Sequence, residues 1–129
     1  MGNWRTLADD DSRVVADAQG RLADRSLHKH TDRLVPSMYE VCDGVWCLVG
    51  NGLSNQTFVR GPEGIVAIDT GESVEEMRSA LEHLRQVSTE PVVAVVYTHF
   101  HYVNGTVALT EHEPITAIWG HERITQNLE

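Results

Sequence analysis

The alternation of apolar and polar positions changes character at residue 38. Residues 1–37 are polar. They carry one weak helical periodicity over residues 14–23, broken at Gly20, and end at Pro36, so they predict an arm. From Met38 onward the chain runs in short apolar bursts with clear punctuation. Residues 38–42 and 45–50 flank Asp43-Gly44, a pair that tolerates the positive φ of a tight turn, and together they predict a β-hairpin. Residues 56–60 form a further strand candidate. Residues 61–64, with Pro62 between glycines, read as a turn, and residues 65–68 as a buried strand.

Ser73 stands at an N-cap position with Glu76 three residues on, the capping-box spacing, and Met77, Leu81, Leu84 and Val87 recur at helical period. A helix over 74–88 follows, stopping before Pro91. Residues 92–97 are a β-branched run without polar alternation, as expected of a strand covered on both faces. A His-rich polar loop occupies residues 98–105, then a short apolar stretch, a second buried strand at 115–119 and a helix start at His121. Strands alternating with helices in this order predict a layered α/β sheet with a right-handed crossover and ligands at the carboxyl ends of its strands. The expected organisation is an arm, 1–37, followed by a half domain, 38–129.

Composition narrows the function classes. At 41% hydrophobic and 22% charged over 129 residues, the chain suits one soluble globular unit. Nineteen acidic against ten basic residues give a formal charge of −9, the wrong sign for neutralising a phosphate backbone, so nucleic acid is excluded as a ligand. No basic stretch followed by a long apolar run occupies the first residues. This predicts no leader and no membrane association, and a cytoplasmic location by default. Cys42 and Cys47 are expected as core thiols rather than a disulfide framework, and His28 and His30 as surface histidines in a polar run.

The residues that carry chemistry lie in the loop at 98–105. His99 and His101 are two residues apart at a strand end, where both imidazoles can turn toward one point, and neutral imidazole is a common ligand of zinc and iron. His112 and His121 are further histidines, read as an exposed turn residue and a helix-start residue. On the residues alone, metal ligation and ordinary surface or core histidines both stand.

Four segments change that balance: Leu53-Ser54-Asn55-Gln56-Thr57-Phe58; residues 64–71, with Asp69-Thr70-Gly71 at their end; residues 91–98; and His99-Phe100-His101. In this order and over residues 38–125 they resemble the metallo-β-lactamase superfamily, in particular its alkylsulfatase branch. The resemblance implies the N-terminal half of an αββα sandwich, a mixed sheet with helices on one face, whose His-x-His-x-Asp-His loop ligates metal. His99 and His101 then match ligands of the first site. Asp69 matches an acid that orients the loop, a role in which a carboxylate can also fix an imidazole tautomer.

The sequence departs from the family pattern where the Asp-His pair falls on Val103 and Asn104. Valine ligates nothing, and Asn104 offers only a neutral carbonyl oxygen, so one ion is expected rather than two. Zinc is the first expectation, with iron or manganese as alternatives. A catalytic zinc usually has three protein ligands and an open position, so the missing ligand is expected from a second polypeptide or from a C-terminal half of the same protein. The implied activity is hydrolysis of a small-molecule substrate, a sulfuric or similar anionic ester. Two alternatives remain: a non-catalytic structural or regulatory subunit with a degenerate site, and a single-iron redox enzyme on the same fold.

Overall fold

A computed structural model describes residues 11–31 and 35–128. The chain divides into two compact units, Met1–Leu34 and Val35–Glu129.

In the first unit, β1 (Val14–Ala16) pairs antiparallel with β2 (Leu22–Asp24), and α1 (Arg25–Thr31) follows. The weak helical period over 14–23 is therefore a hairpin. Its turn explains why: Asp17 Oδ1 accepts hydrogen bonds from the backbone N–H groups of Gln19 and Arg21 at 2.8 and 2.9 Å, and Gly20 takes the left-handed conformation at φ 78°. The Arg21 N–H and then its guanidinium hold the Asp17 carboxyl below its ordinary 3.8. His28 and His30 lie on α1, half-buried and exposed respectively.

The second unit is a six-stranded mixed sheet: β3 (Ser37–Cys42), β4 (Val45–Val49), β5 (Gln56–Arg60), β6 (Ile65–Ile68), β7 (Val92–Val96) and β8 (Ala117–Trp119), in that spatial order. The first four strands form an antiparallel meander. The last two add in parallel, as a helical crossover allows. The helices are α2 (Val74–Leu84), α3 (Thr106–His112) and α4 (Ile124–Leu128). The α/β fold with a mixed sheet is the one expected.

Side chains alternate across a strand. A register shift beside Ile65 lets Val92 and Val95, three residues apart, face the same way, so Trp46, Leu48, Phe58, Ile65, Ala67, Val92 and Val95 share one face, where they form a single core with Met77, Ala80, Leu81 and Leu84 of α2 and Ala108 and Leu109 of α3. The opposite face holds Tyr39, Cys47, Thr57, Ile68, Val96 and Trp119 in one row across the sheet, all half-buried or exposed. On the other face β7 carries Ala94, buried, and Val96, half-buried.

Ser73 caps α2 as expected, its Oγ accepting from the Glu76 N–H at 3.1 Å. The Glu76 carboxylate, however, reaches the Glu72 N–H rather than closing a reciprocal box on Ser73. The helix ends at Leu84, four residues early, because the Arg85 guanidinium donates to the carbonyls of Ser88 and Glu90 and pairs with Glu113, folding the chain back toward β7. Cys42 is exposed and Cys47 half-buried, so neither is the core thiol expected: the hairpin places both away from the helix-packed face. Among the described residues no helix is long and apolar enough to cross a membrane.

Candidate metal and ligand site

The parallel register sets Ile68, Val96 and Trp119 side by side. The residues that follow these three carboxyl ends therefore emerge on one edge of the sheet: Asp69 after β6, the His99 loop after β7, and His121 after β8. This is the edge on which α/β sheets place ligands.

Asp69 is the one non-glycine residue with positive φ, 60°, among those described. Aspartate is among the few residues that tolerate this region. The conformation turns its carboxylate sideways toward β7, where Oδ1 accepts from the Thr98 N–H at 2.8 Å and Oδ2 from the Thr98 hydroxyl at 2.6 Å. Asp69 is 93% buried by these contacts and its own N–H bonds the Val96 carbonyl at 2.9 Å. It thus grips the residue immediately before His99, and its carboxylate bonds Thr98 rather than an imidazole.

The loop is braced from its other side. Thr70 donates through N–H and hydroxyl contacts to the Tyr102 carbonyl, at 3.0 and 2.9 Å. The Thr70 hydroxyl also meets the Thr106 hydroxyl at 3.1 Å, and Tyr97 OH meets Thr106 at 2.5 Å. Gly105 makes this approach of α3 possible, since a Cβ there would overlap the Thr70 carbonyl oxygen and lie 2.7 Å from Met77 Cβ.

Between these braces residues Phe100–Val103 form a short 3-10 turn. The His99 ring is half-buried and packs edge-on against Tyr102, centroids 4.2 Å apart at 88°. His101 is exposed, with its centroid 5.0 Å from that of His99. Two imidazoles on one tetrahedral zinc have centroids about 5 Å apart, given zinc–nitrogen bonds of ~2.0–2.1 Å. The ring separation therefore matches that of two ligands on a single ion. Among the described residues no group of three His, Cys, Asp or Glu side chains forms a complete set. Val103 is half-buried. Asn104 is exposed and donates through Nδ2 to the Glu72 carbonyl at 3.1 Å, leaving its Oδ1 as the one remaining acceptor.

His112 lies on the exposed end of α3, beside Glu111 at 3.9 Å and away from the loop. His121 is placed differently. With Thr98, His99, Phe100, Arg123, Ile124 and Asn127 it lines a cavity of about 340 Å³. Sequence reasoning passed over Arg123 and Asn127, whose only signal was their position just after a strand that pairs in parallel with β7.

A mixed sheet with helices packed on one face and an acid locking a His-x-His loop at its carboxyl edge define a layered α/β scaffold with its candidate site at that edge. The chain belongs to the metallo-beta-lactamase superfamily, whose family model matches residues 49–124, more than half of its length. It is 37% identical over 76 residues to a linear primary-alkylsulfatase of Pseudomonas sp., a match that covers 54% of this chain and 14% of that relative. Among solved structures it is similar to a stereoselective inverting sec-alkylsulfatase from Pseudomonas sp., with TM-score 0.56 and 25% identity over 76% of this chain and 19% of that one. A metallo-beta-lactamase from Pseudomonas aeruginosa, solved in a mono-zinc form, shares the fold with TM-score 0.57 and 21% identity over 72% of this chain and 47% of that one. The chain thus spans about a seventh of the length of that first curated relative.

Proposed function

We propose that this chain supplies the first-metal half of a metal-dependent hydrolase acting on sulfuric or similar small anionic esters. The observation that carries the reading is the His99–His101 pair, two imidazoles 5.0 Å apart in a loop pinned by Asp69. The identity to an alkylsulfatase supports the ester class. In this reading His99 and His101 hold one ion, zinc first. A bound zinc supplies Lewis acidity toward an ester oxygen and lowers the pKa of a coordinated water toward ~7. Asp69 fixes the height of His99 through Thr98, and the edge of Tyr102 limits rotation of its ring. The third ligand comes from the other half of the sandwich, whether on the same protein or a second polypeptide, laid on the face that carries Tyr39, Val96 and Trp119. Native mass spectrometry distinguishes these two sources.

The test is metal analysis of the purified protein beside the variant carrying both His99→Ala and His101→Ala. Loss of the ion in the variant is expected, and undiminished metal content would overturn the proposal. The departure at Val103 and Asn104 favours a second reading, a structural or regulatory subunit with a degenerate site. Installing Val103→Asp together with Asn104→His separates the two: turnover created by the double variant and absent beforehand favours loss of function in this chain. Iron in place of zinc in the same metal analysis would favour the redox alternative.

A further inference from the structure

The cavity beyond His99 carries a donor set that the metal does not use. Its far wall is the segment after β8, which the parallel register brings beside the His99 loop. His121 Nδ1 accepts a hydrogen bond from the Arg123 N–H at 3.2 Å. A ring that accepts at Nδ1 carries its proton at Nε2 when neutral, so His121 offers a donor at Nε2, the opposite of what a metal ligand needs. Arg123 is exposed and, like Arg25, forms no ion pair among the described residues, whereas Arg13, Arg21, Arg60, Arg78 and Arg85 each hold a carboxylate. The Asn127 amide lines the same cavity from α4. The Thr98 hydroxyl is already committed to Asp69, so it adds no donor. The set is therefore an imidazole N–H, a guanidinium fork and an amide, with the side chain of Ile124 as an apolar wall.

We propose that this cavity is a tetrahedral-oxyanion subsite, in which Arg123 and His121, with Asn127, bind a sulfate- or phosphate-like group next to His99. A guanidinium matches two oxygens of such a group at once, and charge-assisted bonds of this kind are the strong ones. The subsite deepens the hydrolase reading, because it orients the anionic end of an ester beside the metal ligands. Its existence as a binding site does not depend on a metal.

The experiment is calorimetric titration of the full chain with sodium sulfate at ionic strength held constant with chloride. Arg123→Gln and His121→Phe are compared with the wild type, and Arg78→Gln on α2 serves as the control. Sulfate is expected to bind the wild type and the control alike. Arg123→Gln is expected to weaken it about tenfold, the lower end for a hydrogen bond to a charged partner at an exposed site, and His121→Phe severalfold. Absence of sulfate binding to the wild type, or equal binding by Arg123→Gln, overturns the proposal. Inorganic phosphate and hexyl sulfate are titrated as competitors. Displacement by hexyl sulfate assigns the subsite to an ester headgroup, displacement by phosphate alone assigns it to free anions, and either supports an oxyanion site. Metal content is measured in the same samples. A wild type that holds metal and binds no sulfate overturns this inference alone, whereas a wild type that binds sulfate and holds no metal overturns the metal reading and leaves the subsite standing.

Discussion

Replacing Asp69 separates the energetics of its carboxylate from those of its backbone. In Asp69→Ala both Thr98 bonds vanish, 2.8 and 2.6 Å in length, and the carboxyl group removed is 93% buried. A hydrogen bond to a charged group contributes about 1.5–3 kcal/mol, and two on one carboxylate add less than twice that. Alanine at φ 60° also lacks the local hydrogen bonding that lets aspartate occupy this region, which adds about 1 kcal/mol. The expected loss is about 3–5 kcal/mol. Asp69→Gly loses the same two bonds but regains the backbone term, so it should be about 1 kcal/mol more stable than Asp69→Ala, while Asp69→Asn keeps one acceptor and should lose only about 1 kcal/mol. Urea unfolding followed by circular dichroism reads all three. With an m-value of about 1–3 kcal/mol/M, the alanine midpoint should fall by about 2 M. An alanine variant as stable as the glycine variant would refute the left-handed argument. A loss below about 0.5 kcal/mol in all three would refute the pinning of Thr98.

Two further outcomes are expected. Gly105→Ala forces α3 off the Thr70 carbonyl, and the shift also strains the Thr70–Thr106 bond. Thermal melts should show a loss of about 1–3 kcal/mol, the usual cost of overpacking, whereas the wild-type midpoint retained would mean that the helix start can give way. The Asp17 carboxyl is held below 3.8 by Arg21, so its support of the β1–β2 turn is fully present above that pH and fades as the pH falls through the lowered value. The amide resonances of Gln19 and Arg21 should therefore hold their shifts at pH 4 and move only in stronger acid; movement centred above pH 4 contradicts the assignment.

The parts of the fold that were legible are those whose limits are set locally. β5 and β6 match the sequence reading residue for residue, because Gly61, Pro62 and Gly64 bound them with turn chemistry. The start of α2 was readable from Ser73. Its end was not, since Arg85 stops the helix by reaching carbonyls beyond it and Glu113 on another element. In the first unit Val14, Val15, Leu22 and Ala23 are spaced to suit either a helix or a hairpin, and Asp17 decides the matter through bonds to residues two and four further on. α3 escaped notice because seven residues, Thr106–His112, are too few to show a helical period. At the site, His99, His101 and Asp69 were visible as residue types. The partnership of Asp69 with Thr98 spans 29 positions, and the arrival of His121 beside His99 depends on the register between β7 and β8, neither of which a one-dimensional pattern carries.

The short spacing of His99 and His101 has a thermodynamic side. Because the two imidazoles are separated by a single residue, an unfolded chain keeps them as near neighbours and retains much of its capacity to hold an ion. A ligand stabilises a fold only through its preference for the native ensemble over the denatured one, so a metal gripped by this pair alone is a poor staple. A group that instead bridges His99 and the segment after β8 is held by parts that meet only once β7 and β8 have paired, so its binding favours the native ensemble and acts as a ligature on the sheet's carboxyl edge.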